Sequence, residues 1–307
     1  MIKSATTRVA FQGVAGAFSE EAALAFAPEG EAIGFPSFEE AFDATVRGDC
    51  DFACLPVENS LAGSINQTYD LLTDSLLTVV AERVVRVHHN LLVLPGTRLQ
   101  DVRKVYSHTQ ALQQCQNFIR QHGLEAITDF DTAGAAKLLA ERGNAAAAAE
   151  ADAVAATGNG QGGKTRRSAP DSAAIASKRA AEAYGLEIAA EHIEDLAFNY
   201  TRFFVLGHEE RAKQPGRGHK TSMVVATHHR PGDLVACLQV FPEHGINMTK
   251  LESRPRRDKP WSYLFYIDIE GHVSDPEVAA AMTGLMRRAA YVKYLGSYPA
   301  AEPVVVD

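Results

Sequence analysis

Apolar and polar positions alternate along the first part of the chain in a pattern that switches between two periods. Short β-branched runs such as RVAFQG, DFACLPVEN and VRKVYSH predict strands, and VVAERVVRVHHNLLVLPG predicts two strands or one bent strand. Between them, SEEAALAFA, LAGSINQTYDLLTD, TQALQQCQNFIRQHG and DTAGAAKLLAERG predict helices. We expect Ser19 to cap the first of these helices, and Gly123 and Gly143 to end the last two. Such alternation indicates a parallel α/β arrangement.

The chain after residue 220 carries a second pattern. Strands are predicted by TSMVVATHH, NMTKLESRP, YLFYIDIEG and YVKYLGSYP. GDLVACLQVFPEHG predicts a helix interrupted at Pro242, and DPEVAAAMTGLMRRAA predicts a helix with Asp275 as its cap and Pro276 in its first turn. The order β-α-β-β-α-β is typical of a ferredoxin-like unit. The charged, Gly- and Pro-containing stretch near residues 209–220 predicts a linker before this unit.

A biased stretch follows the helix that we expect to end at Gly143. Ala-rich, helix-prone sequence surrounds a Gly-rich and basic centre, Gly158 to Pro170, which predicts a mobile surface loop. Within it, the run from Gly158 to Gly163-Lys164-Thr165 fits the spacing of a phosphate-binding loop. That loop needs a buried strand before it and a helix directly after it, because the helix N-terminus faces the phosphates. The flanking residues supply neither, so we do not expect nucleotide binding here.

The composition is that of a soluble globular protein, since 46% of the 307 residues are hydrophobic and 22% are charged. A formal net charge of -8 argues against a generic nucleic-acid binder, which would be basic. The N-terminus has no apolar signal-peptide core, and no apolar run approaches the roughly 18 residues of a membrane span. We therefore expect a cytoplasmic protein that does not act at a membrane.

Neither the cysteines nor the histidines are spaced as metal ligands. The four cysteines, Cys50, Cys54, Cys115 and Cys237, form no C-x-x-C pair, and buried reduced thiols are the expectation. The pairs His88–His89 and His228–His229 lack a third ligand at metal spacing. The sequence therefore predicts no metal site.

Polar residues lie within one predicted apolar strand and at the end of another. NYTRFFVLG places Thr201 and Arg202 inside an aromatic strand, and PVENSLAG ends a strand with Glu58, Asn59 and Ser60. These groups could satisfy one another in a turn, with Arg202 pointing to solvent from an edge strand. They could equally face a ligand, because open α/β sheets bind ligands at the carboxyl ends of their strands. Helix starts at FQGVAGAFS, PVENSLAGS, YSHTQAL and DTAGAA would add groups that attract anions.

Five motifs, in the order LPVENSLAGSI, SHTQALQQC, AAIASKRAAEAYGL, NYTRF and NMTKLESRP, resemble those of prephenate dehydratase of the monofunctional bacterial type. The resemblance covers nearly the whole chain. It implies an α/β fold with a two-lobed, periplasmic-binding-protein-like catalytic domain over residues 1–210. Lobe one would be about 1–84 plus 192–210 and lobe two about 85–191. After a linker at 211–220, residues 221–300 would form a βαββαβ, ferredoxin-like ACT domain, which senses phenylalanine in that family.

The resemblance implies conversion of prephenate to phenylpyruvate, CO2 and water. Formation of an aromatic ring drives this reaction, so no metal, nucleotide or redox cofactor is required. Thr201 would act on the departing hydroxyl, with Glu58 as the alternative proton source. Arg202 would bind a carboxylate or brace the strand, and Phe203 would wall the ring pocket. The remaining residues implied to bind substrate are Asn59, Ser60, Ser107, Gln110 and Thr132.

In the C-terminal part the resemblance implies a pocket for L-phenylalanine, usually at an interface between two ACT domains. The chain would then be a homodimer or homotetramer. RPGDLVACL aligns with the family's GALV loop, but Asp233 stands where that motif has alanine. The residues implied to bind the effector are Gly232, Asp233, Leu234, Val235, Asn247, Met248, Glu252, Ser253 and Arg254.

Two alternatives remain open at this stage. Arogenate dehydratase would carry out the same chemistry on a substrate that bears an amino acid side chain. A two-lobed sensor with an ACT module and no catalysis would use the same cleft as a receptor. The polar NYTRF strand favours an enzyme over the sensor.

Overall fold

The computed structural model describes residues 6–157, 171–256 and 262–302. The predicted loop from Gly158 to Pro170 lies outside these residues. The first part of the chain builds β1 (Arg8–Gln12), α1 (Phe18–Phe26), β2 (Glu31–Phe35), α2 (Phe38–Val46), β3 (Phe52–Asn59), β4 (Gly63–Ser64), α3 (Asn66–Asp74) and β5 (Thr78–Arg86).

The chain then crosses to a second sheet and returns. It builds β6 (Asn90–Val93), a 3-10 turn (Leu99–Asp101), β7 (Lys104–His108), α4 (Thr109–Gln114), α5 (Gln116–Gln121), β8 (Glu125–Asp129), α6 (Thr132–Thr157), β9 (Ser172–Ala176), α7 (Lys178–Tyr184), β10 (Glu187–Ala190) and β11 (Tyr200–Gly207). The strand order of the second sheet is β10-β6-β9-β7-β8. β11 rejoins the first sheet, whose order is β2-β1-β3-β11-β5 with β4 on β3. The first and second sheets are therefore joined by two crossovers, β5 to β6 and β10 to β11.

The C-terminal part forms a third, antiparallel sheet. Its elements are β12 (His219–Ala226), α8 (Asp233–Leu238), α9 (Val240–Glu243), β13 (Met248–Pro255), β14 (Tyr263–Glu270), α10 (Pro276–Arg288) and β15 (Tyr291–Pro299). The strand order is β13-β14-β12-β15. The order β-α-β-β-α-β predicted from the sequence is thus observed, with the first helix in two short pieces.

The third sheet is covered on both faces. Met223, Val225 and Ile267 pack under α8 to α10, in one apolar core. The opposite face packs on the first sheet, where Tyr266 and Tyr298 share a core with residues of β5 and β11. Neighbouring strands therefore bury alternate side chains in two different cores, as the two-residue period of a strand requires.

Several predicted helix boundaries are wrong for identifiable reasons. Ser19 does not cap α1, because the helix already begins at Phe18 after Ala17. The helix predicted to end at Gly143 continues to Thr157 as α6. A Cβ atom at Gly143 would lie 2.4 Å from Leu94 Cδ2, so that glycine permits close packing and does not end the helix.

Two other predicted helices are broken. The TQALQQCQNFIRQHG helix is divided at Cys115 into α4 and α5, and Gly123 follows α5 with a φ of 62°. In the C-terminal part the break falls at Gln239, and Pro242 lies inside the short helix α9. A proline is tolerated there because the first turn of a helix needs no N–H from it. No helix within the described residues is long and apolar enough to cross a membrane.

Candidate active site

A cleft of about 530 Å³ opens between the first and second sheets. Its wall from the first sheet side carries Gln12, Phe18, Pro36, Ser37, Phe38, Asn59, Gln67 and Thr201. The second sheet side supplies His108, Gln110, Ala111, Gln114, Phe130, Asp131 and Thr132, and the first crossover supplies Val87 and His89. The cleft is thus built where strands end and helices begin, the place that open α/β sheets use for ligands.

Thr201 is the second residue of β11 and lies directly opposite Asn59, the last residue of β3. The Asn59 amide nitrogen donates to Thr201 Oγ1 at 3.0 Å. An amide nitrogen cannot accept a hydrogen bond, so the threonine oxygen is the acceptor in this contact. The hydroxyl proton of Thr201 is therefore left to donate to a group in the cleft.

A chain of amides holds Asn59 in place. Its nitrogen also donates to Asn199 Oδ1 at 2.8 Å, and its oxygen accepts from the backbone N–H groups of Leu61 and Ala62 at 3.0 and 2.9 Å. Asn199 Nδ2 donates in turn to Gln114 Oε1 at 2.9 Å. The contacts link both sides of the cleft, because Asn59 belongs to the first sheet and Gln114 to α4 beside the second.

His89 completes this network and has one unused nitrogen. Its Nε2 lies 2.8 Å from Gln114 Oε1, an acceptor, so Nε2 carries the proton. Its Nδ1 is buried and has no hydrogen-bond partner among the described residues. Burial lowers the pKa of His89, which is 2% exposed. The ring is therefore a neutral imidazole that offers a lone pair in the cleft wall.

The cleft attracts anions through helix ends and not through cations. None of its described lining residues is lysine or arginine. α2 begins with Ser37 as its N-cap, and α6 begins at Thr132. The first turn of each helix exposes N–H groups with partial positive charge. Phe18, Phe38 and Phe130 add apolar surface beside these polar groups.

Three of the predicted substrate-binding residues, Asn59, Gln110 and Thr132, line the cleft, as does Thr201, which was predicted to be catalytic. Ser60 lies next to it, where its hydroxyl donates to Phe198 O at 3.1 Å and accepts from Tyr200 N–H at 3.0 Å. Ser107 is fully buried and donates to Ile175 O at 2.7 Å. The hydroxyls of both serines therefore make hydrogen bonds within the protein. Because Ser107 is also fully buried, its predicted role in substrate binding is wrong.

Arg202 does not reach the cleft, which corrects the expectation that it binds substrate. Side chains alternate along a strand, so Thr201 and Arg202 point to opposite faces of β11. The Arg202 guanidinium donates to Glu82 Oε2 at 2.7 Å, to Asp268 Oδ2 at 2.6 Å and to Tyr298 Oη at 3.1 Å. It braces β11 against β5 and the third sheet, the other role that the sequence allowed.

Glu58 and Phe203 do not line the cleft either, for two different reasons. Glu58 faces the third sheet, with Oε2 at 3.0 Å from Lys250 Nζ and 3.9 Å from Arg202 Nη1. Its predicted role as a proton source in the cleft is therefore wrong in this geometry. Phe203 is 1% exposed and packs in the apolar core under α1, so it does not wall the pocket.

Several lining residues were not predicted from the sequence. The polar or aromatic ones are Gln12, Phe18, Ser37, Phe38, Gln67, His89, His108, Gln114, Phe130 and Asp131. The signal that could have found Gln12, His108 and Asp131 was present, since each stands where a strand ends or a helix begins. Gln114 and His89 carried no such signal, because only the fold brings the crossover beside α4.

The residues predicted to bind an effector lie in separate places within one chain. A pocket of about 430 Å³ is formed by Gly232, Leu234 and Val235 with the preceding loop and Phe265. The Asp233 carboxylate accepts the Arg230 N–H at 3.0 Å and so turns back on its own loop.

The β13 residues divide between its two ends. Ser253 pairs with Phe265 near the pocket, and Glu252 and Arg254 contact Ser64 and Asp70 of the first lobe. Asn247 and Met248 stand at the other end of β13, roughly 20 Å from Ser253 at about 3.3 Å per residue. One chain alone therefore does not gather this set into one pocket.

Comparison with known proteins identifies the family. Residues 9–211 match the family described as prephenate dehydratase. The arogenate dehydratase/prephenate dehydratase 1 of Arabidopsis thaliana is 38% identical over 306 residues, which cover 95% of this chain and 72% of that protein. A prephenate dehydratase from Arthrobacter aurescens in complex with L-Phe superposes with a TM-score of 0.80 at 28% identity, over 98% of this chain and 93% of the other. GqqA, a quorum-quenching acylase, superposes with a TM-score of 0.82 at 32% identity, over 96% and 98%. The chain belongs to the prephenate dehydratase family.

Proposed function

We propose that this protein is a prephenate dehydratase, which converts prephenate to phenylpyruvate, CO2 and water in L-phenylalanine biosynthesis. The observation that carries the proposal is the Thr201 hydroxyl in the cleft, whose oxygen accepts from Asn59 and whose proton is free to donate. Membership of the family supports it. Assignment to the monofunctional bacterial type stays a prediction from the motifs.

The reaction needs a group that stabilises a leaving oxygen. The ring carboxylate departs as CO2, and the electron pair of its C–C bond enters the ring. The ring hydroxyl departs with the electron pair of its C–O bond and takes up a proton to become water. A threonine hydroxyl is a poor acid near neutral pH, so Thr201 would donate a hydrogen bond to the departing oxygen and stabilise the charge that develops there.

The cleft walls suit the rest of the substrate. Prephenate carries two carboxylates, and the N-terminal turns of α2 and α6 offer N–H donors that stabilise negative charge. Phe18 and Phe38 provide apolar surface against which a ring can lie. Absence of lysine and arginine from the described lining leaves the carboxylate that departs without a strong counter-ion, which favours its loss as neutral CO2.

The proposal is tested by substitution of Thr201. Thr201→Val keeps the shape and removes the hydroxyl, so we expect kcat for prephenate to fall by about 100- to 1,000-fold, as for loss of one preorganised donor. Thr201→Ser keeps the hydroxyl and should retain most of the activity. Circular dichroism would establish that both variants are folded. Near-normal turnover by Thr201→Val would refute the role of this hydroxyl.

Glu58→Gln tests whether the Glu58 carboxyl, rather than the Thr201 hydroxyl, acts on the departing oxygen. Because Glu58 faces Lys250 and not the cleft, the variant should keep the acidic limb of the pH–rate profile. Loss of that limb would return Glu58 to the mechanism.

Arogenate is the second candidate substrate, and one lining residue favours it. Asp131 is the carboxylate among the described lining residues, and an ammonium group on the substrate side chain would pair with it. Relatives named arogenate dehydratase support the same chemistry on that substrate. Turnover of prephenate and arogenate should be measured side by side, with Asp131→Asn as the variant. A loss confined to arogenate would show that Asp131 recognises an amine.

The similarity to GqqA raises acyl hydrolysis as a different chemistry, which the cleft geometry does not favour. A hydroxyl nucleophile needs a base within hydrogen-bond reach to accept its proton. The partner of Thr201 Oγ1 in the described part of the chain is an amide nitrogen, which cannot act as a base. The same enzyme assays, extended to an acylated amine, would detect this activity if it were present. Lack of turnover on all three substrates would favour a sensor without catalysis.

We also propose that the C-terminal part is an ACT domain that binds L-phenylalanine and regulates activity. The four-stranded sheet with helices on one face supports the assignment, as does the relative that was crystallised with L-Phe. A two-fold axis would bring the Gly232 loop of one copy towards the Asn247 end of another, so the protein would be at least a homodimer. Phenylalanine should raise the thermal midpoint and change prephenate turnover. No effect on either would refute regulation by this part of the chain.

The four cysteines are buried and unpaired. Buried free thiols fit a reducing compartment, which supports the proposed cytoplasmic location.

A further inference from the structure

Two histidines and a glutamate converge where the chain crosses between the first and second sheets. His88 lies on the crossover from β5 to β6, and His192 and Glu194 lie on the crossover from β10 to β11. His88 Nδ1 is 2.8 Å from His192 Nδ1 and 2.8 Å from Glu194 Oε1. His192 Nδ1 is 3.8 Å from the same carboxylate oxygen. One potential ligand atom from each residue therefore belongs to a single cluster, where the two crossovers meet beside the cleft.

The protons available do not satisfy these contacts. A proton on His88 Nδ1 can point at the carboxylate, which leaves the lone pair of His192 Nδ1 facing a nitrogen that does not donate to it. A proton on His192 Nδ1 can point at His88, which leaves the His88 lone pair facing the carboxylate oxygen. Either arrangement of the neutral rings leaves one of the two 2.8 Å contacts without a proton between its atoms. A cation would accept all three lone pairs at once.

The distances fit a transition-metal ion after a small shift. Zinc binds imidazole nitrogen and carboxylate oxygen at about 2.0–2.2 Å, which sets neighbouring ligand atoms of a tetrahedron about 3.3 Å apart. The three observed separations, 2.8, 2.8 and 3.8 Å, bracket that value. We propose that His88, His192 and Glu194 form a binding site for one divalent transition-metal ion of the zinc class, with water as the fourth ligand.

Two further features of the cluster suit a ligand site. Glu194 is held in place, because its other oxygen, Oε2, accepts the His89 N–H at 2.9 Å, and its side chain is 5% exposed. His192 has a φ of 51°, a left-handed conformation that is uncommon outside glycine. This conformation places its ring edge-on to His88, with ring centres 4.3 Å apart.

A bound ion would act on the two crossovers and would take no part in the reaction. It would join the two crossovers, both of which must bend if the first and second sheets move relative to each other. The cleft is lined by His89 and not by His88, so the metal would stand outside the substrate space. The site is therefore independent of the chemistry proposed for Thr201.

Zinc binding tests the proposal directly. The full chain, without a polyhistidine tag and stripped of metal, would be titrated with Zn²⁺ by isothermal titration calorimetry. We expect one equivalent to bind per chain, and Mg²⁺ not to compete, because imidazole ligands favour zinc-class ions. His192→Ala and Glu194→Gln should each weaken the affinity by at least about tenfold. Zn²⁺ should raise the thermal midpoint of the parent protein and not that of either variant.

His228→Ala is the matched control for His192→Ala, since it also removes one exposed histidine. It should leave the zinc affinity unchanged. His192 is exposed, so its substitution should not prevent folding, and circular dichroism would verify this. Failure of the parent protein to bind one equivalent of Zn²⁺ would overturn the proposal. Equal affinity of the parent protein and both ligand variants would do the same, because the zinc would then bind elsewhere.

Discussion

Replacement of Arg202 with methionine would remove the cation that joins β11 to two buried carboxylates. Methionine keeps the apolar stem of the side chain but removes the guanidinium, whose central carbon lies 4.8 Å from the ring centre of Phe204. It leaves Glu82 and Asp268 without their shared partner at 2.7 and 2.6 Å. Both carboxylates are almost fully buried, at 1% and 3% exposed. The variant therefore removes the buried cation that joins the first sheet to the third.

The expected loss of stability depends on the partners that Glu82 and Asp268 keep in the variant. Removal of one partner from a buried ion pair costs about 3–5 kcal/mol, because the other charge stays buried and uncompensated. Glu82 keeps Lys220 Nζ at 2.9 Å, and Asp268 keeps the hydroxyl of Ser222 as a donor. We therefore expect the lower end of that range, a loss of about 3 kcal/mol in the free energy of unfolding near neutral pH.

The loss should depend on pH in a defined direction. Burial acts to raise the pKa of Glu82, and Arg202 followed by Lys220 outweighs it, so that the pKa lies below its ordinary value of 4.5. A carboxyl with a lowered pKa contributes stability that is present above its unfolded pKa and lost as the pH falls through its folded pKa. Without Arg202 the pKa of Glu82 rises, and the carboxyl becomes neutral at a higher pH. The difference between parent and variant should therefore shrink as the pH falls below 4.5.

Urea unfolding at about pH 7 and about pH 4 measures both effects. Arg98→Met is the matched control, because Arg98 also donates two hydrogen bonds to carboxylate oxygens, at 2.8 and 3.0 Å to Asp101, but on the surface. It should not shift the unfolding midpoint measurably. A loss below about 1 kcal/mol in Arg202→Met, the range of exposed pairs, would refute the reasoning. So would a loss of the same size at both pH values.

Three further substitutions test the cleft and the contact between its lobes. Asn59→Ala should lower kcat about 100-fold with little change in KM, because the Thr201 hydroxyl loses the donor that orients it; unchanged steady-state kinetics would contradict this. Gly16→Ala places a Cβ atom 2.5 Å from Ala180 Cα at a φ of 86°, and should cost about 1–3 kcal/mol in urea unfolding; an unshifted midpoint would contradict it. Because burial lowers the pKa of His89, stability should fall as the pH drops below 6.5, and less so in His89→Gln; parallel thermal curves against pH would contradict it.

The fold could be predicted from the sequence where a strand is buried on both sides. β3, β11 and β12 have long apolar runs and were predicted. β9, a central strand of sequence SAAIA, was missed because its alanine-rich surroundings were predicted to be helix-prone. β2, β8 and β10 were missed as well, and all three lie at the edges of their sheets. Their side chains are half-buried or exposed, so EAIGF and EAITD carry too weak a pattern to separate them from loops. The predicted end of a helix at Gly143 was wrong, because that glycine is required for close packing against Leu94 and does not terminate the helix.

The cleft residues could be predicted where the chain itself marks a strand end. Asn59 and Thr201 pair across β3 and β11, and both were assigned to the site. Arg202 and Glu58 were misplaced, because the sequence does not show that a third sheet covers the opposite face of β11. The cluster of His88, His192 and Glu194 was not predicted for a different reason. His88 and His192 are separated by 104 positions, so ligand spacing could not reveal them.

The alternation of side chains along β11 gives its sequence a single explanation. Thr201 points into the cleft, and Arg202 points to Asp268 on β14 of the third sheet. Phe265 lies three positions from Asp268 on the same strand, about 10 Å away, and lines the pocket of the Gly232 loop. A ligand in that pocket that moves β14 relative to the first sheet must therefore either strain the Arg202–Asp268 contact or move β11 with it. Because Arg202 directly follows Thr201 in β11, the Arg202–Asp268 contact anchors the C-terminal sheet one residue from the cleft hydroxyl.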